Sequence, residues 1–518
     1  PTAPPESRAH LRWLRPGAVG LLLGVGIGLL AAPRVRGPAE PAAALHEPLA
    51  LPAISGRLPM CTSTVRVLSL DGGGMRGLIG ATVLEELEVI LSDKLGAPAR
   101  VGDFFDVVVG TSTGGLQAAA LMMGHGAVNL SAIYMRDGAI IFSNETRNCK
   151  AHHKALIAEH CTLDLYNLGG LLYDCLPALA HCFLAFPAYS TDGIEAVART
   201  ILGDLTTAED FGGRVFGMTT YDLLRGTPIT FTNLGATAAS TYYMVDAALA
   251  TSAAPTFFNP RNFTCVGCEA RTVSSERVLA ADGALYANNP ALIAYELAEK
   301  MAAERRGCAL TPDSALVLSL GTGRQRSDLY SSGNMDLSQN TLGSVLKTVV
   351  QFLEFNDTKW WDEQWGTLKW VFLPLTAHSL ELLNAALIGQ EEVTDQFFKK
   401  VFGASGAAER YLRVNVDLSR FAHTTPFDAH VDNVEALRQI GSEAAASARY
   451  RLSRFADELI ALSPDGLRSD AEQRMGGWGG LTGGGAAAPA AAARATAAQR
   501  AAPPAPATRT TPIRRTCS

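Results

Sequence analysis

The sequence predicts an α/β fold, a mostly parallel central sheet covered by helices on both faces, and three observations carry that reading. Short apolar, β-branched runs recur through the middle of the 518-residue chain, helical patterns separate them, and two of the runs end in glycine-rich turns that open a helix. The runs are VRVLSL at Val65 to Leu70, FFDVVVG at Phe104 to Gly110, VFGMTTYD at Val215 to Asp222, VLAADG at Val278 to Gly283 and ALVLSLGTG at Ala315 to Gly323. Strands that are apolar throughout, rather than alternately, are buried on both faces, the mark of a sheet lying between helical layers. The stretch from Thr82 to Leu95 reads as one of those helices.

The chain is long enough for one large domain with tails. At the start, Arg8, Arg12 and Arg15 precede an uncharged run from Gly17 to Ala32, with Arg34 and Arg36 beyond, so residues 1–36 read as a targeting or membrane-anchoring segment. Its apolar part is long for a signal-peptide core and short for a spanning helix, and a secretory signal or organelle transit peptide is the alternative. Residues 37–60 are rich in proline and alanine and read as a linker; residues 476–518 are dominated by glycine, alanine and proline, carry five arginines as their only charges, and read as a disordered tail.

A formal net charge of -6 with no basic stripe excludes nucleic acid as the expected partner. The nine cysteines are scattered and leave the redox compartment open. Cys265 and Cys268 form a C-x-x-C without a second ligand pair, and His152, His153 and His160 near Cys149 lack metal-site spacing, so no metal is expected.

Two glycine motifs carry the chemistry. Directly after the first strand come Asp71, Gly72, Gly73, Gly74, Met75, Arg76 and Gly77. Glycines at a helix start let backbone N–H groups face a cavity, which makes an anion cradle. Read alone, this could hold a pyrophosphate, although Asp93, near the offset for a ribose-binding acid, falls within a predicted helix. The second motif is Gly110, Thr111, Ser112, Thr113 and Gly114, between the strand FFDVVVG and the helical run LQAAALMM. A G-x-S-x-G turn between strand and helix is a nucleophile elbow, presenting the serine hydroxyl clear of the backbone. With both loops above strand ends, the glycine loop becomes a candidate oxyanion hole. A serine needs a base. Asp282, ahead of Gly283 and Ala284 at the end of VLAADG, is the candidate, against the plain alternative of a helix-capping aspartate; His378, His423 and His430 follow it in the order of a Ser, Asp, His triad.

DGGGMRG, GTSTGG, TSAAPTFF (Thr251 to Phe258), Asp282-Gly283-Ala284 and VLSLGTG together resemble the patatin-like phospholipases, in that family's order; Tyr411 to Val414 and Asp432 to Leu437 resemble the C-terminal part of plant-type patatins. The resemblance covers roughly residues 65–450 and implies the three-layer patatin fold, with a catalytic core over 65–295 and a C-terminal part of the same fold over 296–455. It further implies a Ser-Asp dyad without histidine, Ser112 as nucleophile and Asp282 as proton acceptor, and an oxyanion hole from the N–H groups of Gly72, Gly73 and Gly74, to which elbow geometry adds Thr113. The substrate implied is a membrane phospholipid or galactolipid, cleaved without calcium or other cofactor; a catalytically silent lipid-binding or storage protein is the rival. Arg76 could shape the loop, meet a lipid headgroup or form a salt bridge. Trp360, Trp361, Trp365 and Trp370, beside Phe352, Phe355 and Phe372, read as core or as a lipid-docking surface.

Overall fold

The structure, a computed structural model, describes residues 58–142, 187–203, 211, 213–234, 242–266, 275–324, 381–421 and 424–463. The N-terminal apolar run, the tryptophan-rich stretch and the C-terminal tail lie outside the described residues. Among the described residues, no helix is long and apolar enough to cross a membrane.

Eight strands form one mixed sheet: β1 (Val65–Leu70), β2 (Val107–Thr111), β3 (Val215–Asp222), β4 (Thr227–Thr232), β5 (Arg261–Val266), β6 (Ser275–Asp282), β7 (Ala315–Leu320) and β8 (Tyr411–Val414). The order runs β5-β6-β3-β2-β1-β7-β8, with β4 also on β3. The five strands β3, β2, β1, β7 and β8 are parallel. The remaining three pair antiparallel. The longer helices among the described residues are α1 (Gly77–Leu95), α2 (Thr113–Met122), α3 (Ala127–Ile141), α4 (Asp192–Leu202), α5 (Met244–Thr251), α6 (Ala291–Met301), α7 (Glu381–Ala404) and α8 (Val431–Ala461).

Alternation along the central strands sorts side chains into the two layers. Val65, Val67, Val107 and Val109 face α6 and α7, meeting Leu297, Phe398 and Phe402. Leu68, Leu70 and Val108 face the opposite layer, with Leu84, Leu87, Ala118 and Leu452 of α1, α2 and α8. Arg66 is the charged exception inside β1. Its guanidinium forks onto Asp106 at 2.8 and 3.0 Å, which makes its burial tolerable. Helix α1 stops at Gly96, whose φ of 67° is the left-handed C-cap that glycine adopts without strain. It packs along α8, where Gly441 admits close approach: a Cβ there would lie 2.7 Å from Cβ of Thr82.

The strand expected at Phe104 begins later, because Val101–Phe104 closes a 3-10 turn. A disulfide between Cys61 and Cys308, 247 residues apart, joins the segment ahead of β1 to the loop ahead of β7; sequence had left the cysteines unpaired.

Leu84 of α1 is fully buried in the core that this helix shares with the central strands and α8. Leu84→Ala is expected to lower the unfolding free energy by about 2–5 kcal/mol in denaturant titration, the range for a buried leucine whose cavity cannot collapse.

Candidate active site

Strand β3 assembles the site. Its Gly217–Asp222 segment pairs with β4 along one edge. The other edge is shared: β2 occupies it up to Thr111 opposite Thr219, and β6 takes it over from Asp282 opposite Thr220. Because β2 runs parallel and β6 antiparallel to β3, the two approach end to end. Ser112, the residue after β2, therefore arrives beside Asp282, the last residue of β6. Asp282 was expected at a strand end and lies at one; the strand, β6, runs antiparallel to β3, a direction that an apolar run does not encode.

Ser112 sits at φ 54°, ψ −124°, between β2 and the first turn of α2. Such a conformation costs a non-glycine residue about 1–3 kcal/mol and persists where its surroundings impose it. Here they do. A Cβ on Gly110 would lie 2.0 Å from the Gly114 carbonyl oxygen, and one on Gly114 2.2 Å from that of Leu70. Thr251 fixes the turn from below: its hydroxyl accepts the Ser112 N–H at 2.9 Å and donates to the Thr219 carbonyl at 2.7 Å. Thr251 was legible only as part of the TSAAP string, with no role attached to it.

Ser112 lies beside Asp282, close enough to favour the carboxylate's charged form, and that carboxylate accepts the Ala284 N–H at 2.8 Å. Asp282 is 2 % exposed. Burial pushes its pKa up to about 7, against the lowering effect of Ser112 and of the Ala284 N–H. Gly283 lets the chain turn away from β3, since a Cβ there would lie 2.2 Å from the Thr219 hydroxyl. Of the histidines weighed for a triad, His430 caps α8 on the surface, paired with Asp432; His378 and His423 lie outside the described residues.

The glycine loop lies across from the elbow. Gly74 holds φ 56°, and a Cβ on it would lie 2.2 Å from the Pro426 carbonyl oxygen. That oxygen accepts the Met75 N–H at 2.8 Å, and Arg76 donates to the Thr424 carbonyl at 2.7 Å. Arg76 thus ties the loop to the same segment, Thr424 to Pro426, that holds Met75. Gly72 donates its N–H to the Asn288 carbonyl at 3.0 Å, so this amide is turned away from the serine. Thr113, at the first helical position of α2, has an N–H with no partner inside the helix.

Behind the elbow opens an apolar pocket. Gly74, Met75, Ser112 and Thr113 line it together with Leu116, Ile133, Phe142, Val197, Ile201 and Phe258. Three of its polar groups are turned on one another: Gln117 donates to the Tyr134 hydroxyl at 2.6 Å, and that hydroxyl meets Thr113 Oγ1 at 2.5 Å. Burial lifts Tyr134 to about 12, so it stays neutral. Among the described residues no cluster of metal-ligating side chains occurs, and Cys268, Cys149 and His152, His153 and His160 lie outside them.

An elbow serine beside a buried aspartate at one end of a helix-covered sheet is the architecture of a serine-elbow α/β protein. Residues 68–295 match the model of the patatin-like phospholipases, and the chain carries a domain of that family. It is 28 % identical to patatin-like protein 1 of Arabidopsis thaliana, over 76 % of this chain and 84 % of that one. It is equally similar, at 28 %, to a Solanum tuberosum protein named probable inactive patatin-3-Kuras 1, over 73 % of this chain and 85 % of the other. A cGAMP-activated phospholipase of Escherichia coli is 32 % identical over 44 % of this chain and 54 % of its own length.

The raised pKa of Asp282 makes a stability prediction. Between the ordinary carboxylate value and about 7 the folded state holds a proton that the unfolded chain releases, so this residue's contribution is present at low pH and is lost as pH rises through about 7. Asp282→Asn removes that loss. The variant's melting temperature relative to the parent is expected to be higher at about pH 8 than at about pH 5; an equal difference at both would mean that the carboxylate is not desolvated.

Proposed function

We propose that the protein hydrolyses fatty-acyl esters of membrane lipids, phospholipid or galactolipid, through an acyl-Ser112 intermediate. One observation carries the reading: a strained elbow serine placed beside a buried aspartate, at the head of an apolar pocket that suits an acyl chain. Family membership supports lipid acyl hydrolysis in general.

Ser112 Oγ attacks the ester carbonyl while its proton passes to the Asp282 carboxylate. Burial favours this step, because it raises the carboxylate's proton affinity and brings the base close to neutral pH. The tetrahedral oxyanion faces the N–H groups of Gly73 and Gly74 and that of Thr113, whose position at the start of α2 adds the favourable end of the helix dipole. The leaving alcohol takes the proton back from Asp282 and departs. Water then attacks acyl-Ser112, giving a proton to Asp282, and the collapse of the second intermediate returns that proton to Ser112 and frees the fatty acid.

A second reading, a silent lipid-binding protein, draws on the potato relative named probable inactive. The intact pair favours catalysis over it. Membrane association through residues 1–36 belongs to the same proposal, as the means of meeting aggregated lipid.

Two predictions follow from the dyad. In assays of fatty-acid release from phospholipid and galactolipid vesicles with chelator present, Ser112→Ala and Asp282→Asn are each expected to lose at least about 10³-fold in kcat; full activity in Asp282→Asn would replace the dyad with another base. The parent's kcat/KM is expected to rise with pH through about 7 and then level off, following the ionisation of Asp282.

A further inference from the structure

A loop of three consecutive glycines has too much conformational freedom to aim its own N–H groups, yet an oxyanion hole works only if its donors are already in place. Something outside the loop has to hold it. The Gly72 carbonyl accepts the Thr322 hydroxyl at 2.6 Å, and the Gly72 N–H is held by the Asn288 carbonyl at 3.0 Å. Asn288 is buried against the loop so closely that a Cβ on Gly72 would lie 2.5 Å from its Oδ1. Its side-chain amide donates to Glu391 Oε1 at 2.6 Å. Glu391, 6 % exposed on α7, has its other oxygen 3.8 Å from Arg413 of β8 and 3.5 Å from the Asn415 amide. Arg413 closes the circuit by forking onto both oxygens of Asp71, the residue that opens the glycine loop.

We propose that Asn288 and Glu391, backed by Arg413, are positioning residues for the oxyanion loop, so that the chain beyond residue 295 helps set the catalytic rate. The inference rests on the hydrolase reading above. The circuit starts and ends at Asp71 and Gly72, the adjacent residues that open the loop, and so anchors the loop's N-terminal end from two sides. Glu391 is its hub: without that carboxylate the buried Asn288 amide loses its short bond and keeps only the long one, 3.5 Å, to the Gly72 carbonyl, so the side chain shifts and loosens the seat of Asn288 against Gly72. Neither residue lines the pocket, so substrate affinity should be left alone.

The test uses the full chain and p-nitrophenyl butyrate, a soluble ester that needs no lipid surface, together with the rate at which a fluorophosphonate probe labels Ser112. Glu391→Ala is expected to lower kcat by about 10- to 100-fold with KM nearly unchanged, and to slow labelling by a similar factor, somewhat less than the direct loss of one oxyanion donor. Glu391→Gln keeps an acceptor oxygen for Asn288 and is expected to restore most of the rate. Wild-type kcat in Glu391→Ala, a change in KM alone, or a Gln variant as slow as the Ala variant would each overturn the proposal. If Glu391→Ala does not fold, Asn288→Ser carries the test, since it leaves Glu391 with Arg413 and Asn415: the same kcat loss supports the proposal and wild-type kcat sinks it. An unaltered protein that neither turns over the ester nor takes the probe overturns the hydrolase reading itself, and this inference with it; an active parent with an equally active Glu391→Ala overturns the inference alone.

Discussion

Strand β3 accepts two strands on one edge, running toward each other and meeting between Thr219 and Thr220. Backbone hydrogen bonding fixes where each of those strands ends, and each end bears a reactive side chain. The relative position of serine and aspartate is therefore set by sheet register, which is stiff, rather than by loop conformation, which is not. The surrounding threonines serve the same junction: Thr111 and Thr219 hydrogen-bond at 2.7 Å, and Thr220 donates to the Ala281 carbonyl at 2.7 Å. A break in strand pairing would normally leave polar backbone exposed to an apolar interior, and short hydroxyl side chains satisfy it at little cost in volume.

Two kinds of strain and desolvation meet at this junction. Ser112 is held in a backbone conformation that it would not choose, and Asp282 is held in a place where its charge is disfavoured. Both lower the stability of the fold and both favour reaction, one by exposing a hydroxyl and the other by strengthening a base. The large apolar layers on either side of the sheet can absorb that destabilisation.

Much of this was legible in the sequence, because it is written locally. The apolar runs located β1, β3 and β7 closely, and the elbow and glycine loop were readable since steric crowding at Gly110, Gly114 and Gly74 demands glycine within a few residues of the serine or the loop itself. Asp282 was placed by its position at a strand end. What stayed hidden is written at a distance. Nothing near Val278 reveals that β6 runs antiparallel, because burial on both faces looks the same in either direction. Thr251 and Ser112 are 139 residues apart, Asn288 and Glu391 103, and Asp71 and Arg413 342. Such pairs have no period and no motif, and a buried glutamate inside a helix looks like a surface one until its partners are seen. The Gly72 amide was assigned to the oxyanion for the same reason: the sequence identifies the donor, but only the fold identifies the Asn288 carbonyl that takes it.

The Cys61–Cys308 bridge bears on integrity of a different sort. It closes a ring of chain that contains both Ser112 and Asp282. A protease cutting one peptide bond anywhere between those cysteines would produce two polypeptides that migrate apart under reduction yet travel as one molecule without it. Both reactive residues would stay on that molecule, and the nicked form would resemble the whole one until a reductant separated its halves.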